Sequence, residues 1–320
     1  MSPSHIAQRL RLDPFMLAIL ATVTLAAVLP ARGEVAFGLA LLSKAMVALL
    51  FFLHGAHLSP AAALQGLRQW RLQSLILGTT FVLFPLIGLA AGVVLTDVLP
   101  PQLYFGLLYL CVLPSTVQAS VTFTGMAGGN LPAALCAASA SNLLGVVLTP
   151  LLVALLLHAE GGMSGGGLGI VLQILLPFLA GQAARPWIAS RLARWRRYTS
   201  LLDRGTILLI IYTAFSAGMV GGVWRQLEVS DLGIVLLLDL ALLALVLSIT
   251  AWTGRKLGLG RPDEIALVVC GSTKSLVSGM PMLSALFPAA TAGLIAVPMV
   301  LFHQLQLIVC AALARRYAKG

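Results

Sequence analysis

The sequence predicts an all-α polytopic membrane protein of ten transmembrane helices, arranged as two inverted five-helix repeats. Three observations predict it. Of 320 residues, 59% are hydrophobic and only 9% charged, against roughly 45–50% and about 25% in soluble domains; mean hydropathy is +1.00. The apolar residues gather into ten runs, and about 20 residues suffice to cross a hydrocarbon core. The 20 basic residues fall almost wholly on one side of those runs, the asymmetry that orients a polytopic chain. Transmembrane barrel strands would alternate in polarity over about ten residues, and these runs do not.

The first half, residues 1–160, holds runs at 14–30, 36–57, 72–96, 102–126 and 131–157. A glycine-rich outer linker, 161–167, follows. The second half, 168–320, holds runs at 168–188, 205–224, 231–253, 264–286 and 289–313. Arg9 and Arg11 before the first run resemble the opening of a secretory leader. Removing that run would leave nine spans and unequal halves, so it is read as a helix. With the N-terminus inside, 16 of the 20 Lys and Arg lie in cytoplasmic segments. Arg32 and Arg225 fall outside, and Lys44 and Lys274 within spans. Both termini are expected in the cytoplasm, and the chain in a bacterial inner membrane. The net charge of +10 is thus topology, with the cluster from Arg185 to Arg204 set against anionic lipid; no nucleic-acid partner is expected. Cys111, Cys136, Cys270 and Cys310 sit in apolar runs without CxxC spacing, so no metal is expected. HExxH and P-loop signatures are absent from the sequence, and an enzyme or an ATP-driven pump is not expected.

Five spans per half force the second half to enter from the opposite face, as in inverted-repeat transporters. Weak internal similarity agrees. Ser115-Thr116 matches Ser272-Thr273 at an offset of 157, and Pro132-Ala133-Ala134 matches Pro288-Ala289-Ala290 at 156. The matching places are the least helical in their spans. Pro114, Ser115, Thr116, Gln118 and Ser120 interrupt the fourth, and Gly271, Ser272, Thr273, Lys274 and Ser275 the ninth. Unwound backbone at membrane depth is tolerated where it is buried in protein or lines a cavity. Paired interruptions therefore point to a binding site, with Thr122, Thr124, Asn130, Ser139, Ser141 and Asn142 flanking the first. Asn130 equally suits the cap of the following helix.

Five motifs carry a family resemblance: Phe52 to Pro60 (FLHGAHLSP), Leu113 to Asn130 (LPSTVQASVTFTGMAGGN), Leu202 to Ser216 (LDRGTILLIIYTAFS), Cys270 to Met282 (CGSTKSLVSGMPM) and Leu301 to Leu307 (LFHQLQL). From first span to last the chain resembles the bile acid:sodium symporter family. It is most similar to the branch of bacterial homologues of the seventh member of solute carrier family 10. The resemblance implies a core and a panel domain, fourth and ninth helices broken and crossing, and substrate bound beside the crossing. It also exposes departures. Ser120 keeps the family type, but Val121 stands where sodium-coupled members carry Asn, and Ala134 and Ala138 where they carry Ser and Thr. Cys270 falls near their acidic ligand and Lys274 near their Gln. Alkyl side chains do not ligate sodium, so the family's sodium sites are not carried over.

An unpaired charge at mid-bilayer costs roughly 2.5–3.5 kcal/mol, so the ionisable residues left inside demand a role. Lys274 reads as a built-in cation replacing sodium, drawing an anion or organising the crossing, with an ion pair to Asp239 as the structural alternative. Proton exchange on Lys274 would offer proton coupling. His303, beside Gln304 and Gln306, is a candidate relay or packing group, Lys44 a snorkelling lysine, and Asp203 and Arg204 a structural pair at the start of the seventh span. The expected function is secondary transport of a small organic anion, with no cofactor beyond a coupling H+ or Na+, by a monomer or weak homo-oligomer. A sodium symporter with a rearranged ion site and a non-transporting sensor are the alternatives.

Overall fold

A computed structural model describes residues 14–57, 69–95, 98–157, 167–222, 224 and 227–319. Every regular element among them is helical: α1 (Pro14–Val28), α2 (Gly33–His57), α3 (Trp70–Leu95), α4 (Pro101–Val112), α5 (Val117–Met126) and α6 (Leu131–Leu157). The second half supplies α7 (Gly167–Arg194), α8 (Arg196–Val220), α9 (Val229–Lys256), α10 (Arg261–Ser272), α11 (Leu276–Leu286) and α12 (Ala289–Tyr317). Helix occupies each of the ten apolar runs. Seven helical stretches are long and apolar enough to cross a membrane, counting α10–α11 as one, and eight if α4 and α5, bent by 62°, form one span. The chain is a multi-span membrane protein. The 15 residues of α1 reach only about 22 Å, short of a core of roughly 30 Å.

Local chemistry sets the boundaries. Pro101 and Pro262 open α4 and α10 from the first turn, where a missing N–H is no loss. Gly128, at φ +71°, makes the reversal between α5 and α6 that a side chain would strain. The outward faces are apolar: Val93 is 82% exposed, Leu155 73% and Val229 87%. In water such a surface would drive aggregation; in lipid it is ordinary.

The helices sort into two packed groups. In one, α2 packs against α7, and α8 against α1 and α2. In the other, α4 packs on α12, α9 on α10 and α12, and α5 on α6, with α3 against α10 and α4. The groups meet along α8–α12, α8–α11 and α6–α7. The α2–α7 contact is backbone to backbone. A Cβ on Gly55 would collide with the Phe178 carbonyl, and one on Gly181 with the Phe52 carbonyl. Close approach at small residues is how helices associate where water supplies no driving force.

Candidate functional site

Interrupting a helix frees carbonyls, and in a dry interior each needs a donor. Leu113 to Thr116 run extended between α4 and α5, and Thr273 to Ser275 between α10 and α11. Five consecutive carbonyls at the first break are all satisfied. Cys111 O and Leu113 O accept from Lys274 Nζ, each at 2.8 Å. Val112 O accepts from Thr149 Oγ1 at 2.8 Å, Pro114 O from the Ser275 N–H at 2.9 Å, and Ser115 O from Asn142 Nδ2 at 2.7 Å. Hydroxyls then tie the breaks together. Ser115 Oγ donates to Cys270 O at 2.7 Å, while Ser115, Ser120 and Thr273 form a triangle with sides of 3.0–3.2 Å.

Lys274 is 2% exposed, yet its ammonium lacks nothing. Besides Cys111 O and Leu113 O it donates to Thr80 O at 2.9 Å, and it lies 4.1 Å from the centre of the Phe84 ring. Thr80 belongs to a π turn, Thr79–Leu83, inside α3. Three carbonyls and a ring face thus surround the charge as oxygens surround a bound metal cation. Gln306 fixes the lysine backbone, accepting from Lys274 N at 2.7 Å and donating to Lys274 O at 2.8 Å. The ion pair with Asp239 is not formed. Among the described residues neither Asp239 carboxylate oxygen has a hydrogen-bond partner, although the residue is wholly buried.

Beside the joined breaks lies a cavity of about 450 Å³. Its wall on one side is the first turns of α5 and α11: Thr116, Val117 and Gln118 from one, Ser275, Val277 and Ser278 from the other. Ser139 and Asn142 of α6 add polar groups. Across the cavity stand His54 and His57 of α2 and Asp203 of α8, with His54 Nε2 3.7 Å from Asp203 Oδ1. The positive ends of two half-helices, each equivalent to about half a charge, face a single space. That arrangement suits an anion.

Comparison with known proteins decides what kind of molecule carries this site. Residues 13–319 match the SBF-like CPA transporter family. The chain belongs to that family. Among its relatives are the Pseudomonas aeruginosa protein PA2026, 48% identical over 96% of this chain and 93% of the relative, and YfeH of Escherichia coli K12, 45% identical over 96% and 93%. Sodium/bile acid cotransporter 7 of Danio rerio is 26% identical over 94% and 92%. This SBF-like protein is therefore a transporter of the bile acid:sodium symporter kind and not an enzyme.

The residues singled out in the sequence divide, in this SBF-like transporter, between the cavity and the join of the two breaks. Thr116, Gln118 and Ser275 line the cavity; Ser115, Ser120 and Thr273 bind the breaks together behind it. Ser272 and Thr124 are buried. Lys274 is not among the residues lining the cavity; its ammonium lies in the carbonyl cage. Asn130 takes the capping place that the sequence also allows: its Oδ1 accepts from the Ala133 N–H at 3.0 Å and its Nδ2 donates to Asp263 Oδ1 at 2.6 Å, so it caps α6 and clamps α10. His303 Nδ1 sits 2.9 Å from Gln306 Nε2 and borders a smaller cavity of about 200 Å³. Asp203, expected to be structural beside Arg204, lines both cavities. His54 and His57 went unmarked as candidates, although FLHGAH is one of the family motifs. In this SBF-like transporter Asn142 is the hinge pin of the cavity wall, accepting from Ser278 Oγ at 2.6 Å while donating to Ser115 O. Asn142→Ala is expected to cost about 2 kcal/mol, since it strands buried partners. Thermal unfolding in detergent checks this; a melting temperature within 1 °C of wild type would contradict it.

Proposed function

We propose that the chain is a secondary transporter of a small organic anion that works by alternating access without sodium. The observation that carries the reading is the convergence of the α5 and α11 N-termini on one cavity. Thr116, Gln118, Ser139, Asn142 and Ser275 supply the polar contacts, and about 450 Å³ is within the usual range for small-ligand sites. In this reading α4–α5 and α10–α11 are the fourth and ninth of ten spans, crossing at their breaks, in inverted halves 1–160 and 168–320. The group α1, α2, α7 and α8 is the panel, the remaining helices are the core, and both termini face the cytoplasm of the inner membrane. Lys274 stands where a coupling cation would, because its ammonium already fills the oxygen cage at the first break. The chain acts as a monomer or weak homo-oligomer, and a proton is the coupling ion left to it.

The experiment is counterflow in proteoliposomes with radiolabelled taurocholate, p-toluenesulfonate and succinate, in sodium and in choline buffers. Saturable counterflow of at least one probe, unchanged within twofold when choline replaces sodium, is expected. Absence of counterflow with every probe would overturn the transport reading. A strict sodium requirement would overturn the role given to Lys274 while leaving transport intact.

A further inference from the structure

A second concavity, of about 480 Å³, lies on the surface between α9 and α12 and shares no residue with the transport cavity. Its trough is apolar: Leu247 and Ala251 form one bank, Ile308, Ala312 and Leu313 the other, and Val268 of α10 the floor. Ser248, beside Leu247, spends its hydroxyl on the Ala244 carbonyl, and the charged end is where Arg255, Arg316 and Tyr317 close the groove. From Leu247 to Arg255 the helix rises about 12 Å, so the trough runs along α9 from its apolar part to the charged end. Aromatic residues mark the same level. Trp252 is 60% exposed with Lys256 Nζ 4.5 Å over its ring, as at a headgroup boundary.

The polar end is built and strongly basic. Arg255 Nε donates to Glu264 Oε1 at 3.1 Å, which holds the plane of an otherwise exposed guanidinium. Arg261 Nη2 donates to the Tyr317 carbonyl at 2.9 Å, tying the start of α10 to the end of α12. With Lys256, Arg315 and Lys319, the end of α9, the start of α10 and the end of α12 carry six basic residues, counting Arg255, Arg261 and Arg316, against two acidic ones, Asp263 and Glu264. A planar guanidinium offers paired donors to a phosphate.

We infer that this groove binds one anionic phospholipid, its phosphate held by Arg255 and Arg316 and an acyl chain laid in the trough. Charge complementarity selects the headgroup, and the apolar banks select a chain over a soluble phosphate. A zwitterionic lipid offers the same chain without net charge and is the discriminating control. Basic pockets between helices at a membrane surface recognise lipids in this way.

The test uses the full-length protein, extracted in mild detergent and incubated with phosphatidylglycerol, with phosphatidylcholine of the same chains, or with glycerol 3-phosphate. Native mass spectrometry reads retained ligand. One phosphatidylglycerol is expected to be retained in preference to phosphatidylcholine, and glycerol 3-phosphate not to displace it. R255Q/R316Q is expected to weaken retention about thirtyfold, roughly fivefold per arginine. Ala312→Trp, which fills the trough and leaves the arginines, is expected to abolish it. R316Q alone, at a position with no ion-pair partner among the described residues, gives the fivefold step without disturbing Glu264. Equal retention of the two lipids, or unchanged retention in both R316Q and Ala312→Trp, would overturn the assignment.

Discussion

Lys274→Ala is expected to lower stability by about 3–5 kcal/mol and to make the protein responsive to sodium. The substitution removes a buried charge together with all three of its hydrogen bonds. Thr80 O, Cys111 O and Leu113 O are then left facing one another around an empty space. Each stranded buried carbonyl costs about 1–3 kcal/mol, and loss of the ammonium's own desolvation penalty offsets part of that sum. The same three oxygens, freed of the ammonium, form a partial shell for a hard cation. Thermal unfolding of the purified variant in sodium, potassium and choline chloride measures both effects. A drop of several degrees, partly recovered in sodium alone, is the expected result. Lys274→Met fills the space without donors and is expected to destabilise without recovery. If Lys274→Ala melted like wild type, the cage would not be holding the two breaks together.

Gly181→Ala is expected to be nearly as damaging, for a reason that has nothing to do with charge. Its new Cβ falls on the backbone carbonyl of Phe52, and no rotamer change relieves a collision with backbone. Overpacking typically costs 1–3 kcal/mol, and this site belongs at the upper end because α2 and α7 must separate along their whole contact. Separation would also move His54 and Phe178, which line the transport cavity from those helices. Unfolding midpoints and counterflow rates should fall together. A variant as stable as wild type would show that the helices part without cost.

What the sequence made legible depends on whether the signal is local. Helical membrane character is stated by composition, and the first break by Pro114 inside an apolar run. The second break has no proline at its centre; it was visible through its likeness to the first. Lys274 stood out as a charge in a span, but its partners did not, because a carbonyl belongs to every residue and none is marked in the sequence. Opposite charge suggested Asp239, whereas three backbone oxygens and a ring hold the ammonium. The cap role of Asn130 was readable from Pro132 two residues on. The far wall of the cavity was not readable at all: His54 and Asp203, about 150 residues apart, meet only because α2 and α8 pack together.

The cage around Lys274 also bears on where the energy for accumulation comes from. A sodium ion that crosses with its substrate gives up the free energy of its own gradient on every cycle. An ammonium fixed to the chain ends each cycle where it began, so its contribution to the work of transport is zero. Its electrostatic effect on the two breaks persists, but as a constant. Under the sodium-free reading proposed above, uphill movement of substrate draws on another ion that crosses with it, on exchange against a second solute, or on the membrane voltage acting on the substrate itself.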